Sequence, residues 1–380
     1  MMRTLALYVP HFDRQPAGLG TYVREMGRRI IERADDVLLY TETPDFVPTS
    51  WDRSKLSIRP IPTGRIAAPL ARTVARQLWL NTVLPLELRR RKVGALLVPY
   101  HDGMIRPSVP QVSVVHDLTP LVVPSQYFHP LLAAHLRWVL PRILSRSTTV
   151  AVSQSTKNDL ARLLGLDEQD IQVVGEGYDR DVFRPRTPDE LEEAFRATGV
   201  RPPYLMYSGT YAAHKNTLML LDILRGSLDR GLELKLVLCG RPDAGDFAPM
   251  REAIERLDLA EHVVTPGYLP RDHLAALMAG ATAFVFPSLY EGFGLAPLEA
   301  MACGAVVLCS DRASLPEVVG DGGVLLSPST STPWVDALEE VGSDPTLESA
   351  LRARAVARAV EFDWDLSATD LWDALIQSSV

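Results

Sequence analysis

The sequence is short of three things, and each shortage narrows its role. Cysteine is the first: Cys239, Cys303 and Cys309 are odd in number and have no metal-ligand spacing. A disulfide scaffold is thereby excluded, and a reduced, cytoplasmic protein fits. Long apolar runs are the second. Nothing approaches the about 18 consecutive apolar residues that a membrane helix needs. The opening "TLALYVP" leads into a polar loop rather than a small-residue cleavage site, so it reads as a first strand and not a signal peptide. Lysine is the third. Five of the 39 basic residues are lysine, an arginine bias that fits genome composition better than function. Low-complexity tracts and internal repeats are also missing.

What is present is length and alternation. A chain of 380 residues is too long for one ordinary core and suggests two domains of roughly 150–200 residues. Charge divides the same way. Residues 1–175 carry 22 basic and 15 acidic side chains, and residues 176–380 carry 17 and 32. The basic half suits an anionic ligand or membrane surface, and equally a plain solvated face. Near-continuous apolar strand candidates lie at 4–10, 37–40, 95–99, 111–116, 148–153 and 171–175. Six more lie at 204–209, 233–240, 263–267, 283–288, 306–310 and 324–327. Strands buried on both faces and alternating with helices predict two doubly wound α/β domains with parallel sheets. The polar, proline-bearing "GEGYDRDVFRPRTPDE" reads as the linker. We therefore expect domains at 1–175 and 185–360, with a C-terminal helix from about 364 crossing back onto the first.

Ligands of such sheets bind beyond the carboxyl ends of the strands, so residues just after strands carry the functional reading. In "PAGLGTYVREM", Gly18 and Gly20 open a helix whose N–H groups suit close approach of a phosphate, although the stretch is not GxGxxG. In "QVSVVHDLTP", His116 ends a strand and is either a cleft residue or a turn-capping histidine. In "YLMYSGTYAAHKNTLML", the Gly209 turn precedes His214 and Lys215 at a helix start. A lysine there opposes the dipole unless an anion binds, the alternative being a lysine directed to water. In "SLYEGFGLAPLEAMACG", Glu299 is expected in the first turn of a helix, where the dipole accounts for it. Glu291, ahead of two glycines, is not so explained. Carboxylates that accept hydrogen bonds from vicinal hydroxyls, beside free N–H groups for a diphosphate, fit a nucleotide sugar.

"EGFGLAPLEAMACG" followed by "CSDRASLPEVVGDGG" resembles the signature of family-4 retaining glycosyltransferases of the GT-B fold, and the two glutamates fit their E-x7-E motif. Similar segments run the length of the chain: "GLGTYVREM", "VVHDLTPLVVP", "AVSQSTKNDL", "VVGEGYDRDVFRP", "SGTYAAHKN", "PGYLPRDHLAALMAGA" and "FDWD". The resemblance implies two Rossmann-like domains facing each other across a cleft, the first on the acceptor side and the second binding the donor. It implies that Glu291 contacts the donor hexose and Glu299 the ribose. Gly292, Phe293, Gly294 and Leu295 would present backbone N–H groups to sugar and diphosphate. Lys215 would neutralise the departing diphosphate, with Gly209 and His214 nearby, and His116 would sit beside the reacting centre. Gly18 and Gly20 would close over the diphosphate, and Tyr268–Leu269 would border the nucleobase. Family members usually carry an arginine immediately before the lysine, and here that position is His214.

The implied reaction moves a hexose from a UDP- or GDP-sugar to an acceptor hydroxyl with retention, by same-face attack. His116, Glu291 and Lys215 are the catalytic candidates, and Glu291 orients rather than attacks. No cofactor is implied, the nucleotide-diphosphate sugar being a substrate, and no metal: no Asp-x-Asp pair or His/Cys cluster has convincing ligand geometry. The acceptor belongs to a glycan, a lipid-linked sugar or a small molecule, and nucleic acid is not a partner. The alternatives are a GT-B phosphorylase or epimerase, and a non-catalytic nucleotide-sugar-binding protein. In "LARTVARQLWLNTVLPLELRRRKVG", residues Arg72, Arg76, Arg89, Arg90, Arg91 and Lys92 form either a peripheral membrane contact or the solvated face of a core-packed helix.

Overall fold

The computed structural model describes residues 4–12, 18–123, 130–240 and 247–379. The chain divides into two compact units, Met1–Glu176 with Trp364–Val380, and Gly177–Asp363. In the first, β1 (Thr4–Tyr8), β2 (Asp36–Thr41), β3 (Leu56–Pro60), β4 (Ala95–Val98), β5 (Gln111–Val115), β6 (Thr148–Ala151) and β7 (Ile171–Val173) form one sheet. Its order is β3-β2-β1-β4-β5-β6-β7. In the second, β8 (Tyr204–Ser208), β9 (Lys235–Cys239), β10 (Val263–Gly267), β11 (Ala283–Phe286), β12 (Val307–Ser310) and β13 (Val324–Leu326) are ordered β10-β9-β8-β11-β12-β13. All recorded pairings are parallel. Both are doubly wound sheets, with switch points between β1 and β4 and between β8 and β11.

All twelve expected strands are present, and β3 is additional. Sequence patterning missed it because β3 is an edge strand, bonded to β2 alone and partly exposed along its length. It has no continuous apolar run, and its Pro60 is tolerable only at an edge. The expected linker is also less simple than its composition. Glu176 and Tyr178 are buried, Phe183 is 2% exposed, and Arg186 pairs with Glu190 and Asp272 inside the second unit.

The basic stretch forms helices Pro69–Thr82 and Leu84–Arg90, which pack Trp79, Leu80, Leu84 and Leu88 into the first unit's core. Leu78 and Leu86 remain exposed. Arg76 turns inward, 3.7 Å from Glu42 and 3.4 Å from Asp102. Among the described residues no helix is long and apolar enough to cross a membrane.

Helix Trp364–Ser378 belongs to the first unit. It packs on helix Leu19–Arg33 and on β4–β6. Asp365 accepts from Arg29 at 2.8 Å, and Trp364, 1% exposed, meets the Tyr22 ring edge-on at 5.8 Å. Truncating so large a buried side chain costs about 3–5 kcal/mol. Trp364→Ala is therefore expected to lower the unfolding free energy of the first unit by that amount, read as a shift of its denaturation midpoint. An unchanged midpoint would show that this helix does not complete its core.

Candidate functional site

The site in the second unit begins where β8 ends. A Cβ on Gly209 would lie 2.7 Å from the Tyr207 hydroxyl, and one on Gly240 would lie 2.5 Å from the Gly209 carbonyl. Only glycines let these two strand ends approach so closely. The chain then makes a 3₁₀ turn at Ala213–Lys215, and Asn216 adopts a left-handed conformation with φ 52°, which asparagine tolerates better than most residues. The Asn216 amide donates to the Pro287 carbonyl at 3.2 Å and the Pro328 carbonyl at 3.1 Å. The Leu289 N–H donates to the His214 carbonyl at 2.7 Å. The loops after β8, β11 and β13 are thereby tied together.

These ties bring Lys215 to Glu291. The ammonium donates to both carboxylate oxygens, at 2.7 and 2.8 Å, with side chains 17% and 12% exposed. Lys215 Nζ also lies 5.7 Å from the centre of the Phe286 ring. The pair bridges the β8/β11 switch point. Below it, the buried Ser314 hydroxyl donates to the Phe293 carbonyl at 2.6 Å and lies 3.0 Å from the Glu291 carbonyl. Phe293 is anchored against Phe362 at 5.9 Å, leaving its backbone to shape the turn. Gly294, at φ 121°, caps helix Leu295–Ala302, whose first N–H groups have no partner within the helix.

One expectation is corrected here. Glu299 is not in the first turn of that helix, which contains no acid. The helix starts directly after Gly294, so Glu299 falls in the second turn and lacks the full dipole effect. Tyr268, 47% exposed, and Leu269 follow β10 at the edge of the same sheet.

The first unit holds Gly18, Gly20 and His116. Gly18, with φ 37°, is the N-cap of helix Leu19–Arg33, and Gly20 lies inside its first turn. The preceding Pro16 and Ala17 lie outside the described residues. His116 follows β5 directly, and helix residue Tyr22 meets its ring edge-on at 4.5 Å. The His116 Nδ1 is 3.3 Å from Glu176 Oε1. Burial pushes the Glu176 carboxyl above the usual range, although His116 pulls it back down. At the β1/β4 switch point, Asp102 accepts from Gln77 at 2.6 Å and from the Tyr8 hydroxyl at 3.4 Å.

Comparison with known proteins follows this geometry. The model described as "Glycosyl transferases group 1" matches residues 189–359, and "Glycosyltransferase Family 4" matches 16–182. O-antigen chain mannosyltransferase B of Escherichia coli is 31% identical over 272 residues, 69% of this chain and 69% of that protein. The chain belongs to the group 1, family 4 glycosyltransferases. Alpha-maltose-1-phosphate synthase of Mycolicibacterium smegmatis is 31% identical over 237 residues, 58% of this glycosyltransferase and 59% of that protein. Sucrose-phosphate synthase from Thermosynechococcus elongatus superimposes with a TM-score of 0.81 over 99% of this chain and 98% of that one, at 18% identity. Anabaena HepE, solved with UDP-glucose, gives 0.74 over 99% and 100% at 17% identity. The fold is GT-B.

Three structural participants in this glycosyltransferase were not singled out by sequence: Asn216, Ser314 and Glu176. Asn216 gave a signal, an asparagine between a candidate site and a helix start. Ser314 gave none. Glu176 stood between two glycines in a stretch whose polarity suggested solvent.

The Gly294 turn is an exacting backbone position. A Cβ there would sit 2.9 Å from Leu315 Cδ2 at a φ that L residues rarely adopt. Gly294→Ala is expected to cost about 1–3 kcal/mol, read by thermal unfolding of the second unit. An unchanged melting temperature would contradict this turn geometry.

Proposed function

We propose that the protein is a retaining hexosyltransferase that takes a UDP- or GDP-sugar as donor and an acceptor hydroxyl as nucleophile, without a metal. The observation that carries the reading is the Lys215–Glu291 pair over the Gly292–Leu295 turn. An ammonium has three N–H donors and a carboxylate about four acceptor sites. With two bonds between them, Lys215 keeps an N–H for a phosphate oxygen and Glu291 keeps lone pairs for hexose hydroxyls. The pair thus offers adjacent cationic and anionic contacts for the two halves of one donor. Glu299 takes the ribose hydroxyls, Tyr268 and Leu269 border the base, and Gly18 and Gly20 lie along the diphosphate. From the first unit, His116 meets a substrate hydroxyl.

In the transfer, the bond from the anomeric carbon to the diphosphate oxygen breaks. A bond to the acceptor oxygen forms on the same face, and the acceptor's proton passes to the departing phosphate. Lys215 and the backbone N–H groups at Gly294 and Leu295 stabilise the charge that grows on the leaving group. Glu291 offsets positive charge on the hexose. The UDP-glucose bound to HepE supports a nucleotide-sugar donor, and the mannosyltransferase relative supports transfer of a hexose.

The test is acceptor-dependent release of nucleotide diphosphate across a panel of UDP- and GDP-hexoses. Release by phosphate alone would indicate a phosphorylase, and binding without turnover a non-catalytic protein. Glu291→Gln keeps the shape but loses the charge, and turnover is expected to fall roughly 10–1,000-fold. Stability should fall by about 1–3 kcal/mol through the weakened bond to Lys215. Near-wild-type turnover in this variant would assign Glu291 to structure. Glu299→Ala is expected to weaken donor affinity by about 1.5–3 kcal/mol per lost ribose bond, and Lys215→Ala to reduce both affinity and rate. Unchanged donor kinetics in both would move the donor site elsewhere.

A further inference from the structure

The chemistry assigned to His116 leaves one buried acid unused. Glu176 is 5% exposed and His116 is 8% exposed, and a carboxylate is rarely carried so deep without a partner. Its partner is the imidazole, with Oε1 3.3 Å from Nδ1. The other ring nitrogen, Nε2, is buried and has no hydrogen-bond partner among the described residues. A histidine that only filled the core would have both nitrogens satisfied, because orphaned buried polar atoms are few and each costs free energy.

We infer that Glu176 is the positioning residue for His116. Its carboxylate accepts the Nδ1–H and leaves Nε2 as the ring atom that accepts a hydrogen bond from a substrate hydroxyl. This rests on the transferase reading for the identity of that hydroxyl, which belongs to the sugar donor or its acceptor.

The direction of the bond follows from what each alternative leaves behind. If Glu176 donated to Nδ1, the proton on Nε2 would be a buried N–H with no acceptor. An unfilled lone pair is the milder defect of the two. The rest of the surroundings hold the ring without competing for it. The Thr156 hydroxyl donates to the His116 carbonyl at 3.0 Å and fixes the backbone, and the Tyr22 ring covers one face at 4.5 Å. Of the other titratable groups that act on the ring, Asp117 accepts the Thr119 N–H at 2.8 Å, and His101 Nε2 bonds the Asp117 carbonyl at 2.7 Å. Both are engaged with backbone groups, and Glu176 is left to set the tautomer.

The test uses the full chain labelled with ¹⁵N-histidine. His116→Asn identifies the His116 resonances among the eight histidines. In the wild-type protein at neutral pH, Nδ1 is expected to show the shift of a protonated nitrogen and Nε2 that of an unprotonated one. Glu176→Leu keeps size and burial but gives Nδ1 no acceptor, so the ring is no longer held in the Nδ1–H form and the two shifts move toward each other. In parallel, turnover is expected to fall roughly 10- to 100-fold, the scale of one misplaced hydrogen bond to the substrate. Glu176→Asp restores the carboxylate and should recover both the shifts and most of the turnover. A wild-type His116 protonated on Nε2 overturns the assignment, as does a Glu176→Leu protein with wild-type shifts and wild-type turnover. If the wild-type protein consumes no nucleotide sugar, the transferase reading fails, while the nitrogen shifts still decide the role of Glu176.

Discussion

Parallel pairing of β8 with β11 is the constraint on which the site depends. Parallel strands send all their carboxyl ends to one edge of the sheet, so loops far apart in sequence emerge side by side. Lys215 and Glu291, 76 positions apart, meet because each follows one of these strands. The order β10-β9-β8-β11-β12-β13 makes this the place where successive crossovers diverge to opposite sides, and a crevice opens there. The same order in the first unit puts Asp102 and its partners at the β1/β4 boundary.

Burial gives this edge its electrostatic character. The strands beneath Lys215 and Glu291 are buried along most of their length, and the ion pair sits on an apolar floor that includes the Phe286 ring. Charges in such surroundings are less screened than at an open surface. Asn216 and Ser314 supply rigidity by satisfying carbonyls that the loops would otherwise turn into the protein. The result is two opposite charges held in register, each with hydrogen-bonding capacity to spare.

Most of the architecture was legible because buried parallel strands must be apolar on both faces, and twelve of the thirteen strands announce themselves that way. The exposed edge strand β3 does not. Glu291 was legible from its neighbours, since an acid before two glycines and outside a helix has no dipole to serve. Glu299 was misplaced by a fraction of a turn, because Gly294 at φ 121° starts the helix sooner than the proline alone suggests. Glu176 was hidden for a different reason. Its burial comes from an imidazole 60 positions away, and local composition carries no trace of such a contact.

The return of helix Trp364–Ser378 to the first unit has a consequence for synthesis. The second unit, Gly177–Asp363, interrupts the first, so the ribosome makes most of the first unit early and its last helix late. At about 5–20 residues per second, the interruption lasts roughly 10–40 s. Throughout that interval the surfaces of β4–β6 and helix Leu19–Arg33 that will receive the helix stand uncovered, and Tyr22 lacks Trp364. The unit translated first is thus completed last, after a whole second unit has had time to fold, and the nascent chain is most vulnerable to misassociation along that waiting face.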